Sequence, residues 1–256
     1  MAENFFHIHV HEKTRKEALR VLKSFMEGKK YNLTQEFTGK EIEKFEFKER
    51  KNQAIFIITQ EHKSWTTIYG PMKENELLEL ALFISNKEKA KTLFLMLYED
   101  DVFLYNLFKN GEMLAEYNSC PNYFEDRVTN RQIIESKEDS EIFLKEFPFT
   151  KEKKSLIKKM LTEGWVINQK DFERNSKYLD PGVLMNEFGQ SLNIESKYLN
   201  INYMDFFADQ DFLKKFPNYK NLKILIYKKK SYLWIWLLLL LFIFSGKLYQ
   251  LIMSYF

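Results

Sequence analysis

Four histidines, one cysteine, eight glycines and five prolines in 256 residues leave little material for the commoner catalytic signatures. There is no phosphate loop, no dinucleotide fingerprint, no Gly-x-Ser-x-Gly elbow, no His-Glu-x-x-His and no Cys-x-x-Cys. These absences argue against motif-bearing enzymes, though not against one whose residues meet only in space. The lone Cys120 cannot close an internal disulfide, which agrees with a reducing compartment. A net charge of only +3 is scattered through mixed stretches such as Lys40-Glu41-Ile42-Glu43-Lys44, a solvated surface and not a nucleic-acid footprint, so no nucleic-acid partner is expected. No Gly/Ser/Pro-rich linker occurs, and 24 Phe and 14 Tyr argue against disorder.

What is present in force is apolar mass at the C-terminal end. Lys228, Lys229 and Lys230 run into Ser231 and then an unbroken apolar stretch from Tyr232 to Phe244. The uncharged segment between Lys230 and Lys247 would cover roughly 24 Å as a helix, against about 30 Å of hydrocarbon. Lys247 can snorkel and Leu248 to Phe256 adds apolar and aromatic mass, so the span can be completed. Tyr232, Trp234 and Trp236 stand where an interfacial aromatic belt would lie. The competing reading is a hydrophobic helix docked on the globular body or on a partner, against which Leu237 to Leu241 shows no amphipathic period.

Seven lysines (Lys214, Lys215, Lys220, Lys223 and Lys228 to Lys230) precede this run and Lys247 alone follows it, so the positive-inside bias places the preceding residues in the cytoplasm. The lysine cluster itself suits anionic headgroups of the cytoplasmic leaflet. Met1 to Asn4 lacks a positive n-region and Phe5 to Val10 is too short for an h-region, so no signal peptide is expected and the protein reads as tail-anchored in the cell membrane.

The remaining roughly 230 residues suffice for one large or two small domains. Phe6, Ile8 and Val10 alternate with His7, His9 and His11, the pattern of a half-buried strand. Thr14 and Glu17 have capping-box spacing, Ala18, Leu22, Phe25 and Met26 form a helical stripe, and Gly28 is placed to end it. Strands are expected around Phe45 to Phe47, Ala54 to Thr59 and Trp65 to Tyr69, then a helix from Glu74 to Asn86. Thr92 to Tyr98 reads as a central strand, Val102 to Phe108 returns across Glu99-Asp100-Asp101, and Asn110-Gly111 turns into Glu112 to Tyr117. Helices follow at Gln132 to Phe147, Lys151 to Glu163 and Val183 to Leu192, broken at Pro148 and Gly164.

This order predicts an α+β fold: an antiparallel sheet with two helices on one face, a small helical subdomain, and a C-terminal transmembrane helix. The expected division is 1–126 sheet domain, 127–204 helical subdomain, 205–230 basic juxtamembrane junction and 231–256 membrane anchor.

The stretch from Tyr105 to Phe124, with Asn110-Gly111-Glu112 and the closing Asn118-Ser119-Cys120-Pro121-Asn122-Tyr123-Phe124, resembles a family of uncharacterised bacterial proteins. Leu184 to Ile194 followed by Tyr203 is similar to that family's C-terminal helix and closing aromatic. The resemblance spans Trp65 to Tyr203 and implies an α+β module in a bacterial protein, with no activity to carry over.

Candidate chemistry is sparse. His7, His9 and His11 would share one face of a strand, where two imidazoles can hold a metal, but only His62 or a distant carboxylate could complete the set. The plainer reading is a polar face open to solvent or covered by a loop, so replacing all three with glutamine should leave folding nearly unchanged. Glu99-Asp100-Asp101 reads as a tight turn before a cation site, Cys120 as inert before nucleophilic, and Trp65 and Trp165 as packing residues. No catalytic residue and no cofactor is assigned. The leading expectation is a membrane-tethered cytoplasmic protein-binding module; a toxin-immunity or phage-defence role would suit a bacterial chain rich in lysine and asparagine. The alternative is a membrane-associated hydrolase or metal-dependent enzyme using the His7/His9/His11 face. Expected partners are the lipid bilayer and another protein, and association of the aromatic anchors would make an oligomer.

Overall fold

The computed structural model describes residues 5–45, 48, 52–71, 73–123, 139–166, 169–201, 203–208, 212 and 219–230. Among the described residues eight strands form one sheet: β1 (Phe5–His11), β2 (Tyr31–Thr38), β3 (Gln53–Ile58), β4 (Trp65–Tyr69), β5 (Thr92–Tyr98), β6 (Val102–Lys109), β7 (Glu112–Asn118) and β8 (Lys223–Lys229). Their spatial order is β2-β8-β3-β4-β1-β5-β6-β7, and every neighbouring pair is antiparallel. A single register row crosses all eight strands, through Thr38, Lys223, Ile58, Ile68, Ile8, Phe94, Asn106 and Glu116.

Helices α1 (Arg15–Gly28) and α2 (Glu74–Glu88) cover one face. Alternating directions make β1 parallel to β2 and β4 parallel to β5, the second pair running opposite to the first. The β1-α1-β2 and β4-α2-β5 crossovers also travel in opposite directions across the sheet, so the same hand puts both helices on the same side. Ala18, Leu22, Phe25 and Met26 from α1 and Leu77, Leu80, Ala81 and Ile84 from α2 meet Ile8, Val10, Phe56, Ile58, Ile68 and Phe94 there. The capping box forms as its spacing predicts: Glu17 N donates to Thr14 Oγ1 and Thr14 N to Glu17 Oε2. Gly28 does not supply the left-handed residue that ends α1; Lys30 does, at φ 65°.

The other face carries a second layer: α3 (residues 139–146), α4 (Lys151–Glu163), α5 (Pro181–Ser191), α6 (Ser196–Leu199) and α7 (Asp205–Ala208). Phe143, Ile157, Met160, Leu184, Phe188, Leu199 and Phe206 pack in one core with Leu93, Leu95, Phe103, Tyr105 and Ile224 of the sheet. The second helical segment thus shares its core with the sheet and does not close one of its own. The α+β class and antiparallel sheet are as expected, with helices on both faces.

Asn110-Gly111 makes the predicted two-residue turn, with φ of 56° and 88°, between Lys109 and its partner Glu112. Three expectations are corrected. β1 is buried on both faces and is no half-buried strand. Tyr31–Thr38, unassigned in the sequence, is an edge strand; of the expected Phe45–Phe47 strand only Phe45 is described, at the end of a 3₁₀ turn over Gly39–Lys44. The presumed junction contributes β8, which inserts between β2 and β3.

Among the described residues no helix is long and apolar enough to cross a membrane. Tyr232, Trp234, Trp236 and the whole 231–256 anchor segment lie outside the described residues, as does the first part of the Gln132–Phe147 helix.

Candidate functional site

The histidine ladder is inside the protein. β1 lies between β4 and β5, and His9 pairs with Thr67 and His11 with Trp65, which leaves His7 beside Tyr69. His7 and His9 have no exposed surface, and His11 is half-buried between Trp65 and Phe147, with ring centroids 4.7 and 5.5 Å away. The face expected to be open to solvent or covered by a loop is instead packed under the helical layer, where each of the two fully buried imidazoles has one nitrogen engaged by a protein oxygen.

Those partners explain why three polar side chains point this way. His7 Nε2 contacts Ile201 O at 2.6 Å, Tyr69 Oη donates to Tyr198 O at 2.9 Å, and Trp65 Nε1 donates to Leu192 O at 2.7 Å. Leu192 caps α5 and Tyr198 lies in the last turn of α6, so these two acceptors belong to helix ends whose carbonyls lack intrahelical donors, and Ile201 follows the α6 cap. Adjacent strands thus fasten the α5–α6 segment at three points. A carbonyl only accepts, so His7 carries its proton on Nε2. His9 Nδ1 lies 2.9 Å from Thr67 Oγ1, while His7 Nδ1 and His9 Nε2 have no hydrogen-bond partner among the described residues.

Burial lowers the His7 pKa from 6.5 to about 4, against a smaller opposing effect of the Ile201 hydrogen bond. Burial also takes His9 well below the ordinary histidine value, reinforced by His7, and lowers His11, with Lys91 adding to that effect and Glu12 opposing it. The rings of His7 and His9 stand 5.8 Å apart at 82°, each with one nitrogen engaged by a protein oxygen. His62, the fourth imidazole, is engaged by Glu195. Among the described residues no three His, Cys, Asp or Glu side chains are grouped to hold a metal ion. The geometry makes the ladder a fastening between layers.

The other sequence candidates separate. Glu99 and Asp100 take φ of 51° and 62° in the β5–β6 turn, with Asp101 N donating to Tyr98 O and Tyr123 Oη donating to Glu99 Oε2. Burial pushes the Cys120 thiol upward, away from nucleophilic character. Trp65 is core, while Trp165 is half-buried and lines a cavity of about 220 Å³ with Tyr117, Ser140, Glu141, Lys158, Leu161 and Thr162.

Lys228 and Lys229 end β8, and they and Lys230 are exposed. Lys229 N donates to Asn52 O and Lys230 N to Lys30 O, which brings the β8 exit beside the α1–β2 turn and the start of β3. Lys29 and Lys30 thereby join the cluster, a neighbourhood that sequence inspection missed because about two hundred residues separate the two lysine runs.

No family model, curated protein or solved structure matches this chain, and the resemblance read from the hairpin stretch gains no support from these comparisons.

Proposed function

We propose that this protein is a cytoplasmic protein-binding module without catalytic activity, tethered to the membrane through the apolar run that follows Lys230. The observation that carries the reading is the position of β8. A strand held on both sides, by β2 and β3, delivers Lys228, Lys229 and Lys230 to one rim immediately before Tyr232, Trp234, Trp236 and the leucine run. The chain would then enter the bilayer from a fixed point of the rigid sheet. The burial and low basicity of His7 and His9 weigh against the alternative of an enzyme built on the ladder.

The binding surface we assign is the outer edge of β7. Glu116 N there donates to Asp139 Oδ2 and Val166 N to Ser119 O, so the C-terminal half of that edge is occupied. Its N-terminal half carries Glu112 and Met113, the latter 52% exposed, a large apolar residue placed where a partner strand could add.

Flotation of the full chain with vesicles tests the tether: it should remain bound through high-salt and alkaline washes. Recovery without detergent in the aqueous fraction would overturn it. A photo-crosslinking residue at position 113 should give one discrete adduct in cells; a smear no different from that at exposed Lys159 would remove the β7 assignment.

A further inference from the structure

We infer that the rim at the β8 exit is a docking surface for anionic lipid headgroups and that it sets how the domain stands on the membrane; this rests on the membrane-tether reading. Five lysines meet there: Lys29 and Lys30 from the α1–β2 turn, Lys228 and Lys229 at the end of β8, and Lys230 just after it. They are held together by the Lys230 N to Lys30 O and Lys229 N to Asn52 O bonds. Among the described residues the acids at this corner are Glu79, which pairs with Lys29, and Glu27 at the end of α1.

The register locates an opposing charge at the same end of the sheet. Lys223 and Phe94 lie in one row; Lys228 is five residues along β8 from that row, and Glu99 is five residues along β5 in the same direction. The lysine corner and the Glu99-Asp100-Asp101 turn therefore lie at the same end of two strands that run in the same sense. Strands β8 and β5 are four spacings apart, about 19 Å across the sheet, which exceeds the screening length of about 8 Å at physiological salt. A negatively charged surface consequently attracts one corner and repels the other as independent sites, so the sheet tips onto its β2-β8-β3 side. A single run of lysines beside a span would hold the chain close without orienting it. Two corners of opposite sign orient it.

The test uses the full chain with Cys120→Ser and a fluorophore on one introduced cysteine. Gly28→Cys reports the lysine corner, where an added Cβ meets nothing within 4 Å, and exposed Asp100→Cys reports the acidic turn. Vesicles are phosphatidylcholine alone or with phosphatidylglycerol, and each carries a headgroup-nitroxide lipid as quencher. With phosphatidylglycerol, the label at 28 should be quenched several-fold more than the label at 100. The difference should collapse in phosphatidylcholine alone, in high salt, or when Lys30, Lys228 and Lys229 are replaced by glutamine. Equal quenching of both labels on floated protein, or a difference indifferent to phosphatidylglycerol and salt, overturns the docking surface while leaving the tether intact. Failure of the chain to float with either vesicle overturns the tether and the docking surface with it.

Discussion

His7 should make the protein acid-sensitive in a window fixed by its burial. Its pKa falls from 6.5 in the unfolded chain to about 4 in the fold, because charging the ring would place a cation in a fully buried site. Above 6.5 both states are neutral and the full stability is present. As the pH falls, the unfolded chain takes up a proton that the folded chain refuses, and stability is lost until the folded ring also titrates near 4. The loss is about 2 kcal/mol at about pH 5 and levels off near 3 kcal/mol below about pH 4. His9, shifted in the same direction, adds to it. The measurement is urea unfolding of the full chain in detergent micelles, followed by tryptophan fluorescence, at about pH 7.5 and about pH 5. Buried Trp65, 6.3 Å from the His9 ring, is a local reporter. His7→Gln can still donate to Ile201 O but cannot ionise, so its loss between the two pH values should be about 2 kcal/mol smaller than that of the native chain. The comparison cancels the carboxylates common to both. Equal losses would refute the argument, since they would mean that His7 is hydrated or free to leave its site.

Two further outcomes concern local geometry. Gly111→Val should destabilise by about 2 kcal/mol or more, because a β-branched residue must adopt φ near 88° and its Cβ would approach Asn86 to 2.9 Å; thermal unfolding checks it. Thr14→Ala should cost about 1 kcal/mol through loss of the capping box, read from the urea midpoint with an unchanged slope.

The features legible in the sequence are those fixed by neighbours along the chain. The Thr14–Glu17 box and the Asn110-Gly111 turn each depend on a few consecutive residues. β2 escaped notice for a specific reason. The register slips between Leu33 and Gln35, so Tyr31 and Leu33 pack on the α1/α2 face whereas Phe37 packs on the other, and the two-residue period is broken at Thr34. β8 was hidden differently. Ile224 to Tyr227 is buried on both faces and so shows no alternation, and its strand partners lie some 170 to 200 residues earlier. The histidine ladder was visible as a pattern, but its environment was not. What covers it comes from residues 139–208, and the acceptors at Leu192, Tyr198 and Ile201 are backbone atoms with no sequence signature. Burial also reverses the expectation for the triple glutamine replacement: three flexible amides in place of packed rings should destabilise the fold by several kcal/mol, roughly the sum of lost ring contacts and unmatched polar groups.

Gly28 and Gly164 had the same role in the sequence, each marking the end of a helix, and the structure gives them opposite tolerance. An added Cβ at Gly28 meets nothing within 4 Å, and the residue does not take a left-handed conformation. Gly28→Ala should therefore be neutral to stabilising by about 0.5–1 kcal/mol, by restricting the unfolded chain at a helical position. At Gly164, which caps α4, the same methyl would lie 2.4 Å from Leu184 Cδ2, 2.8 Å from Tyr178 O and 3.0 Å from Met160 O. A side chain can turn aside, but the two carbonyls belong to the backbone. Met160 O accepts the α4 capping bond from Gly164 N, and Tyr178 lies in the turn leading to α5, so relief requires α4 to move from its neighbours. Gly164→Ala should cost about 2–3 kcal/mol. Because α4 shares its core with the sheet, the loss should appear in one cooperative transition. A separate early transition for the helical layer in Gly164→Ala, with the sheet signal unmoved, would show that the two layers are not one folding unit.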